Sequence, residues 1–220
     1  MVYPSNRASI NPTSLRYRTA RNIGEATRLH DQKTNSPGAF IPPAERYKLS
    51  AKIDRWIVTQ VIKYMTVYAE VFDDNRVYWV NLSGACLSDT EFTSFLESTI
   101  RNSDIVPGRL NFEIAESSAV QNLTDVAKVM HRLKKLGCQF ALDDFGTGFS
   151  SFNYLQSLPI DCLKIDGLVI RKILHSPIDR MYVKSIIHIA REMNITTIAE
   201  FVEQDDLIDE VPALGDRDSH

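Results

Sequence analysis

The chain has 220 residues, with 25 Lys and Arg against 28 Asp and Glu and a formal net charge of −3. A hydrophobic fraction of 44% and an aromatic fraction of 9% supply a core and exclude wholesale disorder. The mild acidity argues against a nonspecific binder of nucleic-acid polymer, which needs a basic face. A small anionic ligand stays compatible, because a metal or a local Lys reverses the sign of a site.

No apolar run nears the ~20 residues of a membrane span. The basic, polar N-terminus lacks the apolar core of a secretory signal, so the expected compartment is the cytoplasm. Cys86, Cys138 and Cys162 are widely spaced and odd in number. They form neither a zinc pattern nor a disulfide framework and read as buried thiols.

In chain order, residues 1–36 are rich in Ser, Asn, Thr and Arg, show little periodicity, and read as an irregular or poorly ordered segment. A packed domain is expected over 37–212, with a tail at 213–220. Ile53, Ile57, Val61 and Tyr64 recur at helical spacing through AKIDRWIVTQVIKYM. RVYWVNLSG then reads as a strand ending in Asn81. The next helix, in LSDTEFTSFLESTI, has Ser88 and Glu91 spaced as a capping box.

RLNFEIAE is the next strand. The helix after it, in NLTDVAKVMHRLKKLG, aligns Val126, Val129, Met130 and Leu133 and stops at Gly137. CQFALDDF reads as a strand, SSFNYLQSL as a short helix and DCLKID as a strand. PIDRMYVKSIIHIAREMN follows as a helix with Tyr182, Ile186, Ile189, Ala190 and Met193 on its apolar face. ITTIAEFV is the fifth strand, and QDDLIDEVPALG a weaker last helix.

Strands alternating with helices predict an α/β domain with a parallel sheet, either open and doubly wound or a TIM-type (β/α) barrel. The polar residues choose between them. Strands end in Asn81, in Glu113 and Glu116, in Asp143 and Asp144, in Lys164 and Asp166, and in Glu200. An open sheet concentrates its site at one switch point, whereas a barrel collects residues from many strand ends onto one face. The barrel is the expectation.

On a shared face Glu113, Asp143, Asp144 and Glu200, beside Asn81 and Lys164, cannot all stay ionised without a cation among them. Oxygen donors without Cys or a His pair favour Mg²⁺, Mn²⁺ or Ca²⁺ over zinc. Such a cluster with a nearby Lys suits phosphodiester hydrolysis. Each acid taken alone also fits a helix cap or a solvated turn, and Glu116 and Asp166 suit loop-holding or capping. Lys164, between Leu163 and Ile165, alternates as if buried, which requires a carboxylate partner. His30, His131, His175, His188 and His220 are scattered and are assigned no chemistry. Adjacent Asp143 and Asp144 point to opposite faces of a regular strand, so both can reach one metal site only if the strand has ended there, as the following glycines of FGTGFSS permit.

PGAFIPPAERY, VNLSG, FEIAES, LDDFGTGFSSFNYLQSLPIDCLKID and AEFVE occur in this order. At these residues the chain resembles the EAL-domain family of bacterial cyclic-di-GMP phosphodiesterases, over residues 37–205. The resemblance implies a modified TIM barrel that hydrolyses cyclic-di-GMP to linear pGpG with Mg²⁺ or Mn²⁺. It implies metal ligation by Asn81, Glu113, Asp143 and Asp144, with Glu200 close to or bound to the metal. Lys164 would orient or deprotonate the attacking water, and Glu116 would hold the FGTGFSS loop.

The chain departs from the family pattern at both ends. The early Glu-Ala-Leu strand has its nearest trace in GEATRLHD, where Glu25 is the candidate for a further metal ligand, and the last strand of the family is absent after VPALGDRDSH. The expectation is therefore an incomplete barrel, with first strands degraded and last strand absent. Implied partners are cyclic-di-GMP, a second copy in a homodimer, and a regulatory or GGDEF-type protein. The alternative function is a catalytically inactive module that binds cyclic-di-GMP or a protein.

Overall fold

The computed structural model describes residues 8–9, 17–19, 43–44, 46–47, 49–67, 77–148, 152–202, 207 and 214. Glu25 and most of the last expected helix lie outside them. In chain order the elements are β1 (Ala8–Ser9), β2 (Tyr17–Thr19), α1 (Ser50–Val67), β3 (Val77–Leu82), α2 (Gly84–Leu87) and α3 (Thr90–Arg101). Then come β4 (Leu110–Ala115), α4 (Glu116–Gln121), α5 (Leu123–Lys134) and β5 (Phe140–Phe145). A 3-10 turn (Phe152–Ser157), β6 (Cys162–Ile165), α6 (Gly167–Ile170), a second 3-10 turn (Arg171–Leu174), α7 (Pro177–Glu192) and β7 (Thr196–Ala199) complete the set. The short strands β1 and β2 fall within the stretch that reads as irregular in sequence.

The chain divides into two compact units. One comprises residues 1–15, 115–117 and 140–220. In it β5, β6 and β7 are parallel neighbours in sequence order, and β1 pairs antiparallel with β7, Ala8 opposite Ala199. The other comprises residues 16–114 and 118–139, and there β2, β3 and β4 are parallel neighbours in order. A doubly wound sheet reverses its strand order at a switch point; neither unit does. Parallel strands taken in sequence and joined through helices are the repeat of a TIM-type (β/α) barrel, incomplete against eight strands among the described residues.

In the second unit α5 buries Val126, Val129, Met130 and Leu133, as its spacing predicts. The stripe of α1 is rotated from the expected one. Val61 is buried, but Ile53, Ile57 and Tyr64 are only half-buried, and Val58, Ile62 and Met65 are buried together with Asp54. Asp54 Oδ2 accepts the Ser83 N–H and the Cys86 thiol, each at 2.8 Å. Apolar spacing cannot credit a buried acid, and Asp54 lies on the buried face.

The α3 cap also differs from expectation. Ser88 is the C-cap of α2, and Asp89 caps α3 by accepting from the N–H groups of Glu91 and Phe92. Sequence spacing could not show that Ser88 was already used. In the first unit α7 buries Val183, Ile186, Ile187 and Ala190, while Tyr182, Ile189 and Met193 lie at the half-buried margin. All three cysteines are buried, and burial pushes the Cys138 thiol up to about 12. Among the described residues no helix is long and apolar enough to cross a membrane.

Candidate functional site

Strand β6 is buried along its whole length, and Lys164 within it is 1% exposed. A lone buried ammonium is strongly disfavoured. Its Nζ donates to Asp143 Oδ1 of β5 at 2.6 Å and lies 3.0 Å from Glu200 Oε1, just past β7. The backbone brings Glu200 there, since its N–H donates to the Ile165 carbonyl at 3.0 Å. Asp143 and Glu200 are buried in turn.

Asp144 joins them by an unexpected route. Strand β5 runs through the acidic pair to Phe145, where CQFALDDF also ends. Its register against β6 shifts between Leu142 and Phe145, and Asp144 adopts φ 56°. A bulge with a residue in the left-handed region re-aims a side chain that a regular strand would send to the other face. Carboxylate oxygens of Asp143, Asp144 and Glu200 consequently lie within 4.8 Å of one another.

With every group ionised, three carboxylates and one ammonium leave two net negative charges. The Asp144 carboxyl is held above its usual range by partial burial first, then by Asp143, Asp166 and Glu200, with Lys164 opposing. Hard oxygen donors carrying excess negative charge could hold a divalent metal cation. The donor set suits zinc poorly.

Glu116 stands at the start of α4, and Gly146 just after β5. Glu116 Oε2 accepts the Gly146 N–H at 3.0 Å, while Oε1 accepts the Tyr154 hydroxyl. Asp166 caps α6, accepting the Leu168 N–H at 2.6 Å. In the other unit, Asn81 and Glu113 are register partners of β3 and β4; Asn81 is half-buried and Glu113 is 2% exposed. Glu25 lies outside the described residues. Tyr154 is the functional candidate that reading the sequence missed. Its signal is faint: one hydroxyl-bearing aromatic in FNYLQS, ten residues after Asp144.

The family model for the EAL domain matches residues 25–217. The chain is 36% identical over 180 residues to the cyclic di-GMP phosphodiesterase PdeB of Shewanella oneidensis, covering 82% of this chain and 21% of that protein. It is 34% identical over 180 residues to the cyclic di-GMP phosphodiesterase PdeF of Escherichia coli, covering 82% and 24%. It thus spans less than a quarter of the length of these two relatives. Among solved structures, the FimX EAL domain from Pseudomonas aeruginosa bound to c-di-GMP matches with a TM-score of 0.75 and 27% identity, over 83% of this chain and 73% of that one. The PaMucR phosphodiesterase in its c-di-GMP complex matches with a TM-score of 0.75 and 28% identity, over 86% and 75%. A match running through every acidic strand end described above leaves one assignment: the chain belongs to the EAL domain family.

Proposed function

We propose that this chain is a phosphodiesterase that hydrolyses cyclic-di-GMP to linear pGpG with Mg²⁺ or Mn²⁺, acting in the cytoplasm. The observation that carries the reading is the Asp143, Asp144 and Glu200 cluster gathered on buried Lys164. Two relatives named for the same activity support it, and so do the two neighbours solved with c-di-GMP.

In this reading Asp143 and Asp144 hold metal, joined by Asn81 and Glu113 on the family's motif, with Glu200 at or beside it. The role of Glu25 as a further ligand rests on the motif alone. A bound divalent ion supplies Lewis acidity and offsets charge on the phosphodiester. Lys164, its ammonium fixed between Asp143 and Glu200, orients the attacking water. Glu116 holds the glycine-rich loop through Gly146. Water adds to phosphorus as one ring P–O bond breaks, and the leaving oxygen gains a proton, which opens the cyclic dinucleotide.

The test is product identity. Purified chain that unfolds cooperatively is incubated with cyclic-di-GMP and Mn²⁺, and the nucleotides are resolved by chromatography. The expected result is pGpG. Intact cyclic-di-GMP from a folded sample would overturn the assignment of catalysis, and retained binding would then mark a nucleotide-binding module.

A further inference from the structure

We infer that Tyr154 is a positioning residue for the acidic cluster: through Glu116 it fixes the bulge that turns Asp144 toward Asp143 and Glu200. The inference rests on the metal-dependent reading above and adds a residue to it. A left-handed φ is uncommon in a residue with a Cβ; Asp and Asn are the ones that visit it singly, where local bonds hold it. Asp144 is such a residue, at φ 56°.

The bonds around it supply the constraint. Asp144 N–H donates to Asp143 Oδ1 at 3.1 Å, and the Thr147 hydroxyl donates to the Asp144 carbonyl at 3.1 Å. Two residues on, Gly146 takes φ 94° and gives its N–H to Glu116. Glu116 is itself buried, so its carboxylate is stable there only with its oxygens engaged. Tyr154 engages the second oxygen. The Tyr154 hydroxyl comes from the 3-10 turn beyond the glycine-rich stretch and therefore ties the chain after the loop to Glu116 and the end of β5. Burial first, then Glu116, pushes the phenol well above its ordinary range, so it stays protonated and donating at working pH. The Tyr182 ring closes the other side, 3.5 Å from the place a Cβ on Gly146 would occupy.

Tyr154→Phe keeps the ring and removes only the donor. The full chain and this variant are compared for Mn²⁺ affinity by electron paramagnetic resonance and for kcat and KM with cyclic-di-GMP, beside Glu116→Gln and Asp144→Asn. Melting curves report folding. Expected for Tyr154→Phe is a cooperative melt, Mn²⁺ affinity and kcat lower by about tenfold, and KM within about threefold of the parent. Glu116→Gln, which can no longer accept at both oxygens, is expected to show the same pattern, so the inference remains testable if either variant fails to fold. Parental Mn²⁺ affinity in folded Tyr154→Phe, with loss in Asp144→Asn, overturns this inference alone. Parental affinity in Asp144→Asn as well overturns the metal reading and this inference together.

Discussion

Asp144 destabilises the metal-free protein because partial burial first, and then the neighbouring acids, disfavour its ionised form. Its carboxyl is held above the usual range, so as pH rises past the unfolded value of about 3.9 the unfolded chain loses its proton first. Stability falls over that interval and does not recover at higher pH. Asp144→Asn removes this loss and keeps a residue that tolerates positive φ. In chelator, the variant is expected to melt at or above the parent temperature near neutral pH, with the difference vanishing below about pH 4. Added Mn²⁺ is expected to raise the parent's melting temperature more than the variant's. A variant less stable than the parent in chelator at neutral pH would contradict this account.

Lys164 acts in the opposite sense. Lys164→Met leaves Asp143 and Glu200 buried without their ammonium, and the expected loss is about 3–5 kcal/mol by denaturant titration in chelator. A loss below about 1 kcal/mol would mean that water already solvates those carboxylates. At this scale much was legible in sequence. A Lys between Leu163 and Ile165 demands a buried partner, and the structure provides two. What could not be read was the bulge, because adjacent acids on a strand look the same whether the strand ends, bulges or sends one of them to solvent.

Elements meet at sites that residue patterns do not announce. At the start of α6, a Cβ on Gly167 would lie 2.5 Å from Phe201 Cδ2, and Phe201 follows Glu200 with φ 52°. Arg171 from the next turn sits over the Phe201 ring, 5.6 Å from its centroid. Gly167→Ala is expected to cost about 1–3 kcal/mol through this contact. In Phe201→Gly, which removes both the ring and the strained φ, the same alanine is expected to cost less than about 0.5 kcal/mol. Equal costs in the two backgrounds would show that the contact relaxes freely. The same limit explains the helices. The stripe of α5 was legible because it is purely apolar, whereas α1 hides Asp54 in its buried face and α3 takes its cap from the residue after the expected one.

For the whole molecule, alternation of strands and helices with polar strand ends was enough to favour a TIM-type barrel over a doubly wound sheet. Strand order within each unit bears that out. The strands β1 and β2 were not legible, because two or three residues of pairing leave no periodicity. The role proposed for the acidic cluster is to hold a divalent ion while a cyclic dinucleotide is opened. The direct measurement is the rate of cyclic-di-GMP hydrolysis during Mn²⁺ titration of chelator-stripped protein, for the parent and Asp144→Asn. Expected are no turnover without metal, a rate that saturates with Mn²⁺ in the parent, and a rate at least about a hundredfold lower in the variant. Turnover that survives chelation, or a variant as fast as the parent, would contradict that role.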